Sequence, residues 1–585
     1  MTIFTYKDEE ALGAVLSVDT AMVIIKVADL DRLRRMQVNR LVVLQSSKAG
    51  QYLIGVVQKI TRSSVEQELS VEQEGDPIEI ESIMPQLNLV RVTLIGTLID
   101  KVGTKENVFR RTLETVPEID AKCFAVEGDI LTSFMRVIAN VTDEGQKLSL
   151  GHYTLDEDAE AYLNGNKFFQ RHAIIVGSTG SGKSWTTARV LEQAAVLPSV
   201  NALVLDLHGE YAPMKGDGIK HYRVAGPGDL GNGKGLKDGV LYLPYWLLGY
   251  EALISMFVDR SDQNAPNQAM IIAREVVKMK RKFLGEKKAD ELLENFTIDS
   301  PVPFSMDELF QELNRLNTEM IPGAKAGTEK QGDFHSKLSR MIARLENKRT
   351  DRRLGFLFQA PVEANELSWL DELSRKLIAG TSLQSDKKGG VKIIDFSEVP
   401  SDILPLIVSL VGQLTFSLQQ WTLLEKRHPI ALFCDEAHLY IPLRSEGDAA
   451  NEVSIKIFEK IAKEGRKYGV GLVIISQRPS EVNHTVLSQC NNLVAMRLTN
   501  AEDQSVVRKL LPDSLGGFGD VLPILDTGEA LVVGDASLLP SRVRIKEPNS
   551  KPNSGTVDFW DKWSKSSCED GIVEAVDAWR KQNLQ

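Results

Sequence analysis

Eight residues, Gly177-Ser178-Thr179-Gly180-Ser181-Gly182-Lys183-Ser184, constrain this chain more than any other stretch of it. They satisfy the pattern G-x-x-x-x-G-K-[ST] without a mismatch, and their flanks are the ones that the pattern needs. Ala173-Ile174-Ile175-Val176 before them is an apolar run of strand length, and Trp185–Ala195 after them reads as a helix. A strand that turns through glycines into a helix points several backbone N–H groups at one phosphate, and the helix adds the positive end of its dipole. Gly177, Ser178, Thr179, Gly180, Ser181 and Gly182 are the expected cradle, continued by Lys183, Ser184 and Trp185. Lys183 is expected to reach the β- and γ-phosphates of ATP, and Ser184 to hold Mg²⁺. The plain alternative is a glycine-rich turn that binds nothing; the flanking strand and helix count against it.

A second run, Pro429-Ile430-Ala431-Leu432-Phe433-Cys434-Asp435-Glu436, is apolar until it ends in two carboxylates. Buried parallel strands read this way, with ligand-binding groups at their carboxyl ends. Asp435 would belong to the Mg²⁺ shell, and Glu436 would polarise the attacking water as general base. Taken alone, the run reads better as an ordinary strand followed by an acidic helix cap; the phosphate loop in the same chain reverses that preference. Lys183 and Asp435 are 252 positions apart, more than a minimal nucleotide fold needs, so a segment is inserted between them. A third strand, Gly471–Ser476, ends at Gln477-Arg478-Pro479. An amide there suits a γ-phosphate sensor, a role expected of Gln477. Arg466 ends a helical pattern, Glu452–Lys463, just before the chain turns back into the sheet. Position leaves two readings open: a finger on a neighbouring subunit's ATP, or a cation that favours its own helix dipole.

These segments resemble the HerA-type ATPases of the HerA/FtsK branch of additional-strand RecA-like motors. The matching pieces also include Asp206-Leu207-His208-Gly209-Glu210-Tyr211, Leu243-Pro244-Tyr245-Trp246, Asp435-Glu436-Ala437-His438, Glu464-Gly465-Arg466-Lys467-Tyr468-Gly469 and Arg497-Leu498-Thr499-Asn500, in the family's order between about Arg171 and Arg544. The resemblance implies a homohexameric ring that hydrolyses ATP and translocates along double-stranded DNA through its pore. It makes Arg466 the finger in trans and Gln477 the sensor, and it matches Arg171 to an arginine that approaches the nucleotide. It further implies a partner effector enzyme: a NurA-like or other nuclease in DNA-end processing, or a nuclease or Sir2-like NAD-consuming enzyme in antiphage defence. A ring scaffold that gates such a partner with little translocation is the alternative of a different class.

Asp206–Tyr211 follows the strand Ala202–Leu205, so Asp206 could stand behind the Mg²⁺ ligands and Glu210 could couple nucleotide state to the next subunit, or Asp206 and His208 could simply satisfy a strand-end turn. Composition sets the remaining bounds. The 585 residues leave room for several domains, and 43% hydrophobic content excludes a long disordered chain. No apolar run approaches the ~18 residues of a membrane span, and the first residues lack a signal-peptide plan. The four cysteines, Cys123, Cys434, Cys490 and Cys568, contain no C-x-x-C and read as reduced thiols of a cytoplasmic protein. A net charge of −11 argues against wrapping DNA over the outer surface while leaving a positive pore possible.

The expected fold is α/β: a RecA-like (additional-strand) P-loop ATPase core with a helical insertion, preceded by a small N-terminal β-barrel. Closely spaced β-branched runs at 22–27, 40–44, 52–57 and 89–96 predict a barrel over residues 1–150. The core is expected over 151–248 and 391–546, and a mainly helical insertion over 249–390, with helices at Gln268–Arg281, Ala289–Asn295, Met306–Arg315 and Phe334–Lys348. Its basic runs Lys278–Lys282 and Lys348–Arg353 are either phosphate contacts or solvated faces. Residues 547–585 are read as a linker and a tail whose Trp560, Trp563 and Trp579 pack on a neighbour or on the chain itself.

Overall fold

A computed structural model describes residues 3–64, 86–103, 105–139, 147–325, 327–378, 390–444, 449–511, 513–537, 539–555, 557–565 and 571–581. The chain forms two units and passes between them repeatedly. One comprises Met1–Phe168, Gly177–Gly182 and Asn491–Glu547; the other comprises Phe169–Val176, Lys183–Cys490 and Pro548–Gln585.

The first unit begins with β1 (Gly13–Asp19), β2 (Met22–Lys26), β3 (Leu41–Gln45), β4 (Gln51–Ser64), β5 (Gln86–Val102), β6 (Lys105–Arg110) and β7 (Lys122–Ala125). Antiparallel pairing runs β2-β1-β7-β3-β4-β5, and β5 pairs back onto β2, so six strands close into a barrel. The far half of β5 extends past the barrel and pairs with β6. Alternation sets the interior: in β2, Val23 and Ile25 are buried while Met22 and Lys26 are exposed. Val15, Val42, Leu44, Leu53, Val90 and Val92 join them in one core, and closure leaves few strand edges to protect.

After the helix Gly128–Ala139 come β8 (Lys147–Tyr153) and β9 (Asp156–Asn164). The boundary expected at 150 therefore falls inside a strand. The second unit then supplies β10 (Ala173–Val176), β11 (Ala202–Asp206), β12 (Ile219–Val224), β13 (Val240–Leu241), a small hairpin of β14 (Met320–Pro322) and β15 (Glu329–Gln331), β16 (Val391–Asp395), β17 (Ile430–Cys434) and β18 (Val470–Ser476). Seven of these form a sheet in the order β13-β12-β16-β11-β17-β18-β10, with every neighbouring pair parallel. All residues of β10, β11, β17 and β18 are buried, which explains their continuous apolar sequences. The strand that precedes the phosphate loop and the strand that ends in Asp435 are separated by β18, the inserted strand after which the additional-strand class is named. The first unit closes with β19 (Asn492–Met496), β20 (Glu529–Gly534) and β21 (Ser541–Ile545), which continue antiparallel onto β8 and β9.

The insertion is helical, with its main helices at Ala265–Glu286, Asp290–Asn295, Met306–Thr318, Ser339–Thr350 and Leu367–Leu377. The helix expected from Phe334 starts only at Ser339. The tail forms two short helices, Phe559–Trp563 and Ile572–Lys581, on which Trp560, Trp563 and Trp579 are 80%, 71% and 74% exposed. Among the described residues, none covers these rings fully. Cys123, Cys434 and Cys490 are buried thiols, each pushed up in pKa by burial; Cys568 lies outside the described residues. Among the described residues no helix is long and apolar enough to cross a membrane.

Candidate active site

The glycine loop is seated by the first unit's own backbone. Ser178 donates its N–H to the Arg497 carbonyl at 2.8 Å, Thr499 donates its N–H to Ser178 Oγ at 3.2 Å, and Gly528 donates its N–H to the Ser181 carbonyl at 3.0 Å. A Cβ on Gly177 would collide with Ser181 Oγ and Met496, and one on Gly182, at φ +105°, would lie 2.9 Å from Met496 Cε. Side chains at either position would fill the cradle. Ser181 is fully buried, yet its Oγ has no hydrogen-bond partner. Sequence alone assigned Arg497–Asn500 no role. Here the Arg497 carbonyl and Thr499 hold the loop, a backbone function that leaves little trace in residue type.

In the second unit the helix Lys183–Ala195 continues the loop. Lys183 is 7% exposed, and its Nζ donates to Glu436 Oε1 at 2.7 Å. Burial works against the lysine's charge, but Asp435 and Glu436 outweigh it and hold its pKa above the ordinary value. Asp435 is completely buried, and neither of its carboxylate oxygens has a hydrogen-bond partner. Burial pushes its pKa up to about 8; Lys183 opposes this, while Glu436, Asp206 and Glu210 add to it. A buried carboxylate with both oxygens unengaged, among three other acids and one lysine, calls for a further cation. Among the described residues no group of three or more His, Cys, Asp or Glu could hold a metal unaided. Mg²⁺ takes one or two protein ligands and completes its shell with phosphates and water. The unengaged carboxylate of Asp435 fits Mg²⁺, and the glycine cradle with its unpartnered Ser181 Oγ fits a phosphate.

Glu436 adopts a left-handed φ of +43°, an uncommon conformation for a residue with a side chain and one that concentrates at functional sites. Its Oε2 lies 3.3 Å from His438 Nδ1, which is also 3.3 Å from Ser476 Oγ. Burial lowers the His438 pKa, so this ring is neutral at neutral pH. Gln477 follows β18 directly; since Ser476 is paired with Val176, it leaves the sheet at the edge where β10 enters the phosphate loop. Asp206 is a turn organiser: its carboxylate accepts the N–H groups of His208, Glu210 and Tyr211 at 3.0–3.3 Å. Burial raises its pKa to about 6 against those bonds. The Trp185 ring has the Lys551 ammonium 5.0 Å from its centroid.

Arg466 and Arg171 lie at the ends of other elements. Arg466 is exposed in the last turn of the helix Ala449–Tyr468, just before β18 begins. Arg171 precedes β10, whereas the phosphate loop follows it. Both therefore lie at the amino edge of the parallel sheet. A strand delivers its two ends to opposite edges, so Arg171 and the phosphate loop stand at opposite ends of β10. The basic runs of the insertion are likewise engaged internally. Lys278 pairs with Glu275 and Glu312, Lys282 with Glu308, Lys348 with Asp402, Arg349 with Asp307 and Arg353 with Asp351. Lys280 is buried and donates to the carbonyls of Ile298 and Ser300, and burial lowers its pKa to about 8.

A buried parallel sheet with a phosphate loop after one strand, an Asp-Glu pair after another and a third strand between them defines an additional-strand P-loop ATPase. The family model described as "Helicase HerA, central domain" matches residues 148–413, and "Helicase HerA-like C-terminal" matches 386–567. Together they span well over half of the sequence, and the chain belongs to the HerA family. It is an ATP-hydrolysing enzyme, with ATP and Mg²⁺ as its cofactors. The DNA double-strand break repair helicase HerA of Pyrococcus furiosus is 26% identical over 444 residues, covering 72% of this chain and 74% of its own. That of Sulfolobus acidocaldarius is 24% identical over 413 residues, covering 70% and 71%. Among solved structures, VirB4 of Thermoanaerobacter pseudethanolicus aligns at 16% identity and a TM-score of 0.45 over 70% of this chain and 99% of its own. The plasmid coupling protein TrwB in complex with a non-hydrolysable ATP analogue aligns at 15% and 0.44 over 74% and 96%.

Proposed function

We propose that this chain is the subunit of a homohexameric ring that hydrolyses ATP to translocate along double-stranded DNA. The observation that carries the reading is the division of the expected site between two edges of one sheet. Lys183, Asp435 and Glu436 stand at the carboxyl edge, and the exposed Arg466 stands at the other, where only a neighbour's nucleotide could meet it. In this reading Gly177–Ser184 hold the phosphates, Ser184 and Asp435 hold Mg²⁺, and Gln477 senses the γ-phosphate. Bound Mg²⁺ would draw charge from the phosphate oxygens. Lys183 adds its own cation, and Glu436 accepts the proton of the attacking water at Oε2, the oxygen that Lys183 does not engage. Arg466, with Arg171 at the same edge of the sheet, completes the next subunit's site.

DNA as the track is supported by the names of the HerA relatives, which are double-strand break repair helicases. The same similarity supports work beside a partner enzyme, a NurA-like or other nuclease at DNA ends; a Sir2-like NAD-consuming enzyme in antiphage defence is the other partner the family resemblance supports. Mixed rings test the core of the proposal. Arg466→Ala and Glu436→Gln subunits are each expected to be inactive alone, and rings made of both should recover part of the turnover. In them some wild-type Glu436 faces a neighbour's wild-type Arg466. No recovery in verified mixed hexamers would remove Arg466 from a shared site. ATPase activity indifferent to linear double-stranded DNA would remove the motor.

A further inference from the structure

The amino edge of the parallel sheet holds a histidine that none of these roles uses. His172 directly precedes β10, is 3% exposed and has a left-handed φ of +53°. Histidine tolerates that conformation better than most residues. Its ring bridges two neighbouring elements. Leu472, on β18, donates its N–H to His172 Nδ1 at 2.9 Å, and His172 Nε2 lies 3.1 Å from the Ala462 carbonyl. An amide N–H can only donate and a carbonyl can only accept, so the tautomer is set: Nδ1 accepts and Nε2–H donates. Ala462 lies four residues before Arg466, one turn back on the same helix. The end of that helix is packed tightly onto β18, since a Cβ on Gly465 would stand 2.7 Å from the Val470 carbonyl. The arginine is close enough to act on the ring electrostatically, helping burial to keep the imidazole neutral.

We propose that His172 is a positioning residue for Arg466, tying the helix turn that presents the arginine to the strand that ends in the phosphate loop. The chain of contacts is short. Nucleotide held at one end of β10 fixes that strand, His172 at its other end fixes Ala462, and the turn beyond Ala462 carries the finger offered to the next subunit. Coupling from one site to the next thus runs through a single side chain with both ring nitrogens engaged. The inference rests on the reading of Arg466 as a finger in trans.

The test is a double-mutant cycle on the full-length ring, read as kcat, KM for ATP and particle mass. His172→Asn tolerates the left-handed φ and keeps an acceptor near Leu472, but it is too short to reach Ala462. It is expected to lower kcat roughly 10- to 100-fold with KM and hexamer mass unchanged. His172→Gln, which retains a donor at the ε position, should restore most of the loss. In an Arg466→Lys background, His172→Asn should cost far less than in the wild type, because the residue acts through the arginine. Equal costs in the two backgrounds, or a Gln variant no better than Asn, would overturn the positioning role. Full turnover in Arg466→Ala would instead overturn the finger reading itself, whatever the His172 variants do.

Discussion

The two edges of the parallel sheet solve opposite problems. At the carboxyl edge, ionisable groups are buried and held against each other: the Lys183 ammonium lies on the Glu436 carboxylate, and Asp435 is wholly enclosed with its pKa raised to about 8. At the amino edge, Arg466 is exposed, while the group beneath it, His172, is buried and uncharged. Desolvated charges interact strongly and are already placed when the phosphates arrive, which favours electrostatic catalysis. An exposed arginine gains little from its own chain and stays available to another. On the proposed reading, part of the chemistry is preorganised within the subunit and Arg466 supplies the rest to a neighbour.

The largest expected effect falls on the buried edge. Lys183→Ala should eliminate measurable ATP turnover and strongly weaken nucleotide binding, because it removes a cation from the phosphoryl group and leaves Asp435 and Glu436 uncompensated. Near-normal turnover in the purified variant would break the comparison outright. Glu436→Gln should separate the steps: ATP binds and persists in a filter-binding assay while hydrolysis stops. Loss of binding along with turnover would make Glu436 structural. At the exposed edge, Arg466→Ala should keep binding and ring mass and lose about 10³-fold or more in kcat.

A smaller effect concerns acidity. Burial lowers the His172 pKa to about 4 from an ordinary value of 6.5, so between those values the unfolded chain binds a proton that the folded chain refuses. The stability that His172 contributes is complete above pH 6.5 and is lost as pH falls toward 4, on the order of 3 kcal/mol across the window. Melting temperatures at pH 7 and pH 5 should therefore diverge less for His172→Gln than for the wild type; equal acid sensitivity would mean that another group carries it. The smallest effect is expected in the insertion. Lys282→Ala combined with Arg353→Ala should leave affinity for double-stranded DNA and its salt dependence unchanged, since Glu308 and Asp351 already occupy both cations. Weaker binding with a shallower salt slope would show that phosphate competes with those carboxylates.

Much of the carboxyl edge was legible in the sequence. Gly177–Ser184 and Asp435-Glu436 are written in residue type and spacing, because a phosphate cradle needs glycines and a metal shell needs carboxylates at a strand end. The barrel was legible too, since alternation such as that of Met22–Lys26 reports which side chains face inward. What the sequence by itself determined was thus local: which strands turn into which ligand-bearing loops, and that a nucleotide is held there. The tertiary structure alone decided the rest. It placed Arg171 and Arg466 at the edge opposite the phosphate loop, gave Arg497 and Thr499 the task of seating that loop, and engaged the Asp206 carboxylate in the turn that follows its strand. It also paired several of the insertion's cations with carboxylates far away in the chain, Lys282 with Glu308, Lys348 with Asp402 and Arg349 with Asp307. Those outcomes depend on which strand lies beside which and on what is excluded from water, and neither is carried by any short run of residues.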